Sequence, residues 1–312
     1  MSHNYLKFFN VLHFTGDQTL INKMLKKVSH RKIPFTLDPN KILNTPRDLS
    51  DCGGSTVCEE SYAYLTIASP YENREQYPKE YDSIERYDEE TYKSICNTVF
   101  SVPGFSYADF RAFKPQHDNH KTWVNLYDKK FYEVVLRGKQ YVDGILKYGA
   151  ATIWDWRKEH WGAKWCGYTP LPTYTDNTLI FWSNGSDIRP LIKILSKKFP
   201  DIKIEYLWAD DKFSHICGEC TYLKGEETGI ATEISSNKPI TDEIVYKIKY
   251  DYLKGYTIIE YNDYAKDYIL RNEEHPYSAF ASKVYLYQLM KENGGLINYD
   301  GHPYSYDKYI LP

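Results

Sequence analysis

Three groups of residues have the types and spacing to carry chemistry. In His215-Ile-Cys217-Gly-Glu-Cys220 a Cys-x-x-Cys step follows a histidine, a donor set that suits zinc. The stretch reads as a strand, however, where positions 217 and 220 point to opposite faces unless Gly218 bends the chain. No second Cys-x-x-Cys completes a four-ligand site, because Cys52 and Cys58 are spaced too widely. No metal is therefore assigned, and His215, Cys217 and Cys220 remain weak candidates. A redox role is weaker still, since no helix N-terminus follows to depress a thiol pKa. His117-Asp-Asn-His120 offers a base or a pair of nitrogen ligands in a polar loop, with no partner site in view. Asp155 and Glu159 stand four apart on a helical pattern and share a face, as paired carboxylates would. Arg157 and Lys158 lie between them, which equally describes a salt-bridged helix surface. There is no G-x-x-x-x-G-K-[ST], no G-x-G-x-x-G and no G-x-S-x-G. Nothing assembles a nucleophile, a base and an oxyanion site. The expectation is a protein without enzymatic activity or cofactor; an unrecognised hydrolase is the enzymatic alternative, and bound zinc would raise it.

The elements around these groups follow from periodicity. Residues 5–14 (YLKFFNVLHF) read as a strand, then Asp17 caps a helix over QTLINKMLKKV, with Leu20, Met24 and the Lys27-Val28 step on its apolar side. Pro34, Pro39 and Pro46 divide the next stretch into short pieces. Residues 69–92 hold eight acidic and three basic side chains and almost no aliphatic ones, and read as a solvated insertion. Residues 128–147 predict a helix that Gly138 and Gly144 weaken. In the segment 148–168 four of the seven tryptophans gather: Trp154, Trp156, Trp161 and Trp165. Thr152 caps a helix there and Gly162 ends it. The rings form either an aromatic core plug or, if exposed, a stacking platform. Residues 178–223 then run strand (TLIFWS), helix (IRPLIKILSKKF, with Asp187 as cap), strand (IKIEYLWAD) and hairpin strand (FSHICGECTYL), most of a split βαβ unit. Residues 224–242 are polar and loop-like. Beyond them, ITDEIVYKIKYDYLKGY predicts a helix, TIIEY a strand and SAFASKVYLYQLMKENGG a further helix.

The 312 residues, 42% apolar and 26% charged, suffice for a sizeable core and about two domains. A net charge of −3 and a pI near 6.3 exclude nucleic-acid binding by bulk positive charge. No apolar run reaches membrane-spanning length, and Met1–Phe14 is too broken by polar residues to be a signal peptide. A cytoplasmic protein with six reduced cysteines and no membrane association is expected. Tyrosine is the outlier, at 31 residues against 13 Phe and 7 Trp. Residues 240–312 alone hold 14 tyrosines. A tyrosine-rich chain reflects a low-GC genome, a contact surface, or both at once.

The segment 148–165 closely resembles a motif of the Api92-like family, also called DUF1281, of phages, plasmids and other bacterial mobile elements. Tyr148-Gly149, Trp154-Asp155-Trp156 and Trp161-Gly162-Ala163-Lys164-Trp165 stand in the family's frame, with Trp154 in place of Tyr and Ala163 in place of Thr. FNVLHFTGDQTLINKML resembles the family's opening strand, glycine and helix, although its usual Asn-Trp-Cys is absent. PFTLDPNKILNTPRDL resembles a proline loop of the family, with Asn44 replacing the first proline. The resemblance covers roughly 1–50 and 128–226, and implies a ferredoxin-like domain after the tryptophan motif. It supplies no catalytic residues. Tyr148, Gly149, Trp154, Asp155, Trp156, Trp161, Gly162, Lys164 and Trp165 are then expected to be structural.

The expected architecture is α+β. It comprises an N-terminal region, 1–165, with the acidic insertion at 69–92; a ferredoxin-like (split βαβ) domain, 166–239; and a Tyr-rich extension, 240–312. The expected function is that of a phage or mobile-element accessory protein that binds a host protein, such as a component of an anti-phage defence system. Its contacts would lie in 69–92 and among Tyr246, Tyr250, Tyr252, Tyr256, Tyr261, Tyr264, Tyr304, Tyr306 and Tyr309. Homo-oligomers are compatible with this surface. The alternative is single-stranded nucleic-acid binding on an aromatic ferredoxin-like sheet, with Phe181, Trp182, Tyr206 and Trp208 as the stacking rings.

Overall fold

The computed structural model describes residues 7–29, 37–51, 56–73, 75, 77–118, 129–168, 177–210, 216–228, 243–244, 247–248, 256–262, 267–272 and 275–281. The fold is mixed α+β. By internal contacts it forms two units, Met1–Asn44 with Lys158–Pro312, and Thr45–Arg157.

The first unit is built on an antiparallel sheet of β1 (Lys7–Thr15), β2 (Trp165–Tyr168), β3 (Thr178–Asn184), β4 (Lys203–Asp210), β5 (Cys217–Leu223) and β6 (Glu226–Thr228). The spatial order is β2-β3-β1-β4-β5-β6. β1 lies between β3 and β4 and is antiparallel to both, so β3 and β4 run in the same direction. The helix α8 (Arg189–Lys198) makes the crossover between them. β1 is thus a central strand although it is first in sequence. It can hold that place because Phe8, Phe9, Val11, Leu12 and Phe14 are apolar on both faces. The β5–β6 hairpin turns on Lys224-Gly225, both at positive φ, the conformation that matches the twist of the paired strands.

Asp17 caps α1 (Gln18–Val28) through its carboxylate, which accepts from the Leu20 amide at 3.0 Å. The buried stripe of α1 is Ile21, Met24, Leu25 and Val28. Leu20, which the periodicity places on that stripe, is 38% exposed. The apolar arc is set by Ile21 and Leu25 one position on, and the single leucine beside it meets solvent. Asp38 caps the one-turn helix α2 (Pro39–Ile42).

The second unit packs α3 (Val57–Ile67), α4 (Glu89–Ser101), α5 (Tyr107–Asp118) and α6 (Lys129–Tyr148) around an aromatic core. Gly138 does not weaken α6 here; it lets the helix approach. A Cβ at Gly138 would stand 1.9 Å from the Glu60 carbonyl oxygen of α3. Glu60 is then held by Arg137, whose Nη2 donates at 2.8 Å.

Residues 69–92 are more than a solvated excursion. Tyr81, Ile84 and Tyr92 are buried in this core and Tyr77 and Tyr87 pack against it. A 3-10 helix, Lys79–Ser83, and the start of α4 set their spacing. Apart from Glu72, which is largely covered and pairs with Lys114, the acidic residues are exposed between them, which is why composition alone suggests a polar loop.

A second sheet holds β7 (Tyr256–Asn262), β8 (Asp267–Asn272) and β9 (His275–Ala281) as an antiparallel meander. Ser278–Ala281, expected in a helix, lie in β9. Cross-strand pairing with β8, which aligns Phe280 with Ile269 and Ala281 with Tyr268, overrides the helical preference of the short Ala-rich step. The remainder of that expected helix, from Ser282, lies outside the described residues.

Candidate functional site

The tryptophan motif sits on α7 (Ile153–Trp161) and its flanks. Thr152 Oγ1 donates to Asp155 Oδ2 at 2.6 Å and accepts from the Asp155 amide at 3.2 Å, a reciprocal cap at the helix start. Asp155 is thereby engaged in the backbone geometry rather than paired with Glu159. Trp154 Nε1 donates to the Asp51 carbonyl at 2.9 Å, and Arg157 lies over the Trp154 ring at 5.2 Å. Trp156 and Trp161 are buried, and Trp161 Nε1 donates to the Leu43 carbonyl at 3.0 Å. Gly162 follows at φ +90°, and a Cβ there would meet the Asp187 carbonyl at 2.4 Å. Only glycine fits both the backbone conformation and the gap. Lys164 is half-buried, and Trp165, first residue of the edge strand β2, is 54% exposed. Tyr148 closes α6, its hydroxyl donating to Asp48 Oδ1 at 2.6 Å, and Gly149 follows at φ +72°. Lys147 donates to the other Asp48 oxygen at 2.5 Å. The ammonium and the phenol together hold the Asp48 carboxyl at about 2, below the usual carboxylate range.

One face of the six-stranded sheet carries a buried polar network. Tyr206 donates to Asn10 Oδ1 at 2.6 Å and accepts from the Ile188 amide at 3.0 Å. Asn10 Nδ2 donates to Ser183 Oγ at 2.9 Å, and Ser183 donates to the Ser186 carbonyl at 2.6 Å. The network ties β1, β3 and β4 to the turn that starts α8. Burial pushes the Tyr206 phenol well above its ordinary pKa, so it stays a neutral donor. Asp187 stands just before α8 and takes the Arg189 amide at 3.0 Å. Its carboxylate also receives Arg189 Nε at 2.9 Å, and the guanidinium lies over the Trp208 ring at 5.0 Å. A cleft of about 380 Å³ opens here, lined by Gly162, Asp187, Arg189, Lys193 and Glu227 among others. Two of its charges neutralise each other in the Asp187–Arg189 pair. A third, Glu227, accepts from the Tyr222 hydroxyl at 2.7 Å.

The metal candidates separate. Cys217 and Cys220 are both buried, and β5 keeps regular pairing with β4 through both positions, Ala209 opposite Cys217 and Tyr206 opposite Cys220. They point to opposite faces of the sheet. Gly218 does not bend the strand; its missing side chain makes room for the Trp208 ring, whose nearest atom would stand 2.1 Å from a Cβ. Burial pushes the Cys220 thiol up to about 12 and raises Cys58 and Cys96 as well, so these sulfurs are protonated at neutral pH. His215 lies outside the described residues, as does His120. His117 belongs to the last turn of α5 rather than to a loop. Among the described residues, no group of three or more His, Cys, Asp or Glu side chains is placed to hold a metal ion.

The proposed stacking rings are also placed. Phe181, Trp182, Tyr206 and Trp208 are all buried, so no base can lie on them in this structure. Of the C-terminal tyrosines, Tyr256 and Tyr261 start and nearly end β7, and Tyr261 pairs with Tyr268 across the ladder. Tyr246, Tyr250, Tyr252, Tyr264, Tyr304, Tyr306 and Tyr309 lie outside the described residues. Sequence reasoning did not find the Asn10–Tyr206–Ser183 network. Its members are 196 residues apart at the extreme, and each reads locally as an ordinary strand residue.

No family model matches the chain, and no curated protein matches it. Among solved structures it is similar to the crystal structure of protein api92 from Yersinia pseudotuberculosis, which is assigned to DUF1281. The identity is 11%, the match covers 74% of this chain and 100% of that one, and the TM-score is 0.29. A likeness at this level carries no argument about fold or function. No helix among the described residues is long and apolar enough to cross a membrane.

Proposed function

We propose that this chain is a binding protein without enzymatic activity, and that its partner is another protein engaged through the Tyr-rich region after residue 240. The reading takes β1, β3, α8 and β4 as the core of a ferredoxin-like domain and the chain as an Api92-like accessory protein of a mobile element. The partner is then a protein of the bacterial host cytoplasm, with a defence-system component as the specific expectation. The observation that carries the reading is the attachment of the Tyr-rich region. Ile244 and Ile248 are both fully buried, so the region begins from a fixed point on the first unit. Tyrosines presented from an anchored segment give a large amphipathic contact area at low entropic cost. Elsewhere the described tyrosines mostly serve the cores, as Tyr62, Tyr64, Tyr92, Tyr206 and Tyr222 do with buried rings and engaged hydroxyls. The buried rings of the sheet give the nucleic-acid alternative no support.

The test is a tagged pull-down from nuclease-treated bacterial lysate with the full chain and with a full-length variant carrying Tyr→Ser at 250, 252, 264, 304, 306 and 309. One stoichiometric protein captured by the parent and lost by the variant, with both chains equally folded by circular dichroism, is the expected result. Equal capture by both removes the tyrosines from the interface. Salt-sensitive binding of labelled single-stranded RNA by the parent, with no protein captured, would replace the reading.

A further inference from the structure

The chain leaves β3 through Ser183-Asn184-Gly185-Ser186. Asparagine before glycine is open to attack by the backbone on its own side chain, because glycine has no Cβ to crowd the approach and the widest backbone freedom. Asn184 is the last residue of β3, paired with Lys7 of β1 and with Trp165 of β2. The ladders stop there. Gly185 is exposed, sits at φ +96°, and a Cβ on it would meet nothing within 4 Å. Among the described residues its amide has no hydrogen-bond acceptor. The half-buried Asn184 side chain is unheld as well: its Oδ1 is shut off from solvent and accepts from no donor. Turning this carboxamide therefore breaks no hydrogen bond. Other asparagines differ on both counts. Asn10 precedes Val11, and its carboxamide is held by Ser183 Oγ at 2.9 Å and by the Tyr206 hydroxyl at 2.6 Å. Asn177 precedes Thr178, and its Oδ1 accepts from Gln18 Nε2 at 2.9 Å.

We propose that Asn184-Gly185 is a self-modification site, at which the folded chain deamidates and thereby loosens the turn into α8. The Gly185 nitrogen bonds to Asn184 Cγ, and the Cγ–Nδ2 bond breaks. The Gly185 amide proton leaves with Nδ2, so ammonia is released and a cyclic imide remains. Water then opens the imide. Addition at Cγ gives aspartate at position 184; addition at the backbone carbonyl gives isoaspartate, in which the main chain runs through the former side chain. Either product adds a carboxylate, and isoaspartate also lengthens the main chain by one methylene. That extra length falls between Ser183 and Ser186, whose hydroxyl–carbonyl bond of 2.6 Å joins the Asn10–Tyr206 network to the turn before α8. The isoaspartate form loses that spacing and is the less stable one, so the site acts as a clock on the first unit. The inference is independent of what the protein binds.

The test holds the full native chain, and the same chain unfolded in guanidinium chloride, in heavy-oxygen water near neutral pH. Peptides are followed by mass spectrometry. Opening the imide takes its oxygen from solvent, so each new product carries the label. The other Asn-Gly step, Asn293-Gly294, falls on a different tryptic peptide. The native chain is expected to convert at 184 within about tenfold of the unfolded rate, as a step that needs only a low-cost local opening does. Asn184→Gln should convert more slowly by about tenfold or more, because its longer side chain closes a less favourable ring. If the native chain stays unlabelled at 184 over the time in which the unfolded chain converts, the fold protects the step and the proposal is refuted. The isoaspartate form, separated by its added charge, should unfold at a urea midpoint lower by about 0.5 M. Asn184→Asp, which adds the charge without the methylene, should shift it less. Equal midpoints for the isoaspartate form and the parent would overturn the role as a clock. If Asn184→Gln does not fold, the comparison of native with unfolded parent decides alone.

Discussion

Gly218→Ala is the substitution that most directly probes how the sheet of the first unit is packed. A methyl at this position would stand 2.1 Å from Trp208 Cζ2 and 2.6 Å from both Cε2 and Cη2. The ring cannot retreat easily. It is 2% exposed, stacks on Tyr206 with centroids 4.8 Å apart, and carries the Arg189 guanidinium on it at 5.0 Å. Forcing a methyl into a filled core costs about 1–3 kcal/mol. Disturbing the cation–ring contact adds about 0.5–1 kcal/mol. Removing glycine's freedom in the unfolded chain works the other way by about 0.4–1 kcal/mol. The net expectation is a loss of about 1–3 kcal/mol. Urea unfolding followed through the amides of β4 and β5 should show it as a midpoint lower by about 0.5–1 M, given a slope of about 2–3 kcal/mol/M. The cycle with Trp208→Leu separates crowding from any intrinsic effect of the alanine. With the large ring gone, Gly218→Ala should cost less by roughly 1–2 kcal/mol, a coupling typical of side chains in contact. Equal midpoints for parent and Gly218→Ala, or the same cost in both backgrounds, would refute the packing argument.

Two further outcomes follow from the same contacts. Tyr206→Phe leaves Asn10 Oδ1 and the Ile188 amide without their shared partner inside the sheet, and should destabilise the first unit by about 2 kcal/mol in the same unfolding assay. The Asp48 carboxyl, held at about 2 by Lys147 and Tyr148, should titrate near that value by carbon-detected NMR, and Lys147→Ala should return it toward 3.8. Because its pKa is lowered on folding, the contribution of this contact is present above the ordinary carboxylate range and lost as the pH falls from about 4 toward 2.

Much of the local structure was legible in the chain itself. The alternation in TLIFWS and IKIEYLWAD, the Asp17 cap, and the Thr152 and Gly162 boundaries of the tryptophan helix act over a few residues, and each element formed where those signals stand. The acidic stretch 69–92 was harder, because its apolar content is carried by tyrosines whose burial depends on α3, α4 and α6 being beside them. The Ser278–Ala281 step was misread as helix for a related reason: only the neighbouring β8 makes it a strand.

Residue types and spacing by themselves determined that the chain has an α+β fold with a strand–helix–strand crossover, a helix stop at Gly162, and thiols without a second ligand pair, whereas the stretch after residue 223, which reads as loop, starts with the Lys224-Gly225 turn into β6. What only the tertiary structure decided is which residues share a place. β1, first in sequence, became the middle strand because β3 and β4, far along the chain, pair with its two edges and bury both of its faces. Asn10, Ser183 and Tyr206 met only once β1 lay between β3 and β4. Gly138, which reads as a weak point of its helix, and Gly218, which reads as a place to bend the strand, are instead the gaps that let the Glu60 backbone and the Trp208 ring close in. Periodicity reports which way a side chain points; the packing of distant segments determines what it then touches.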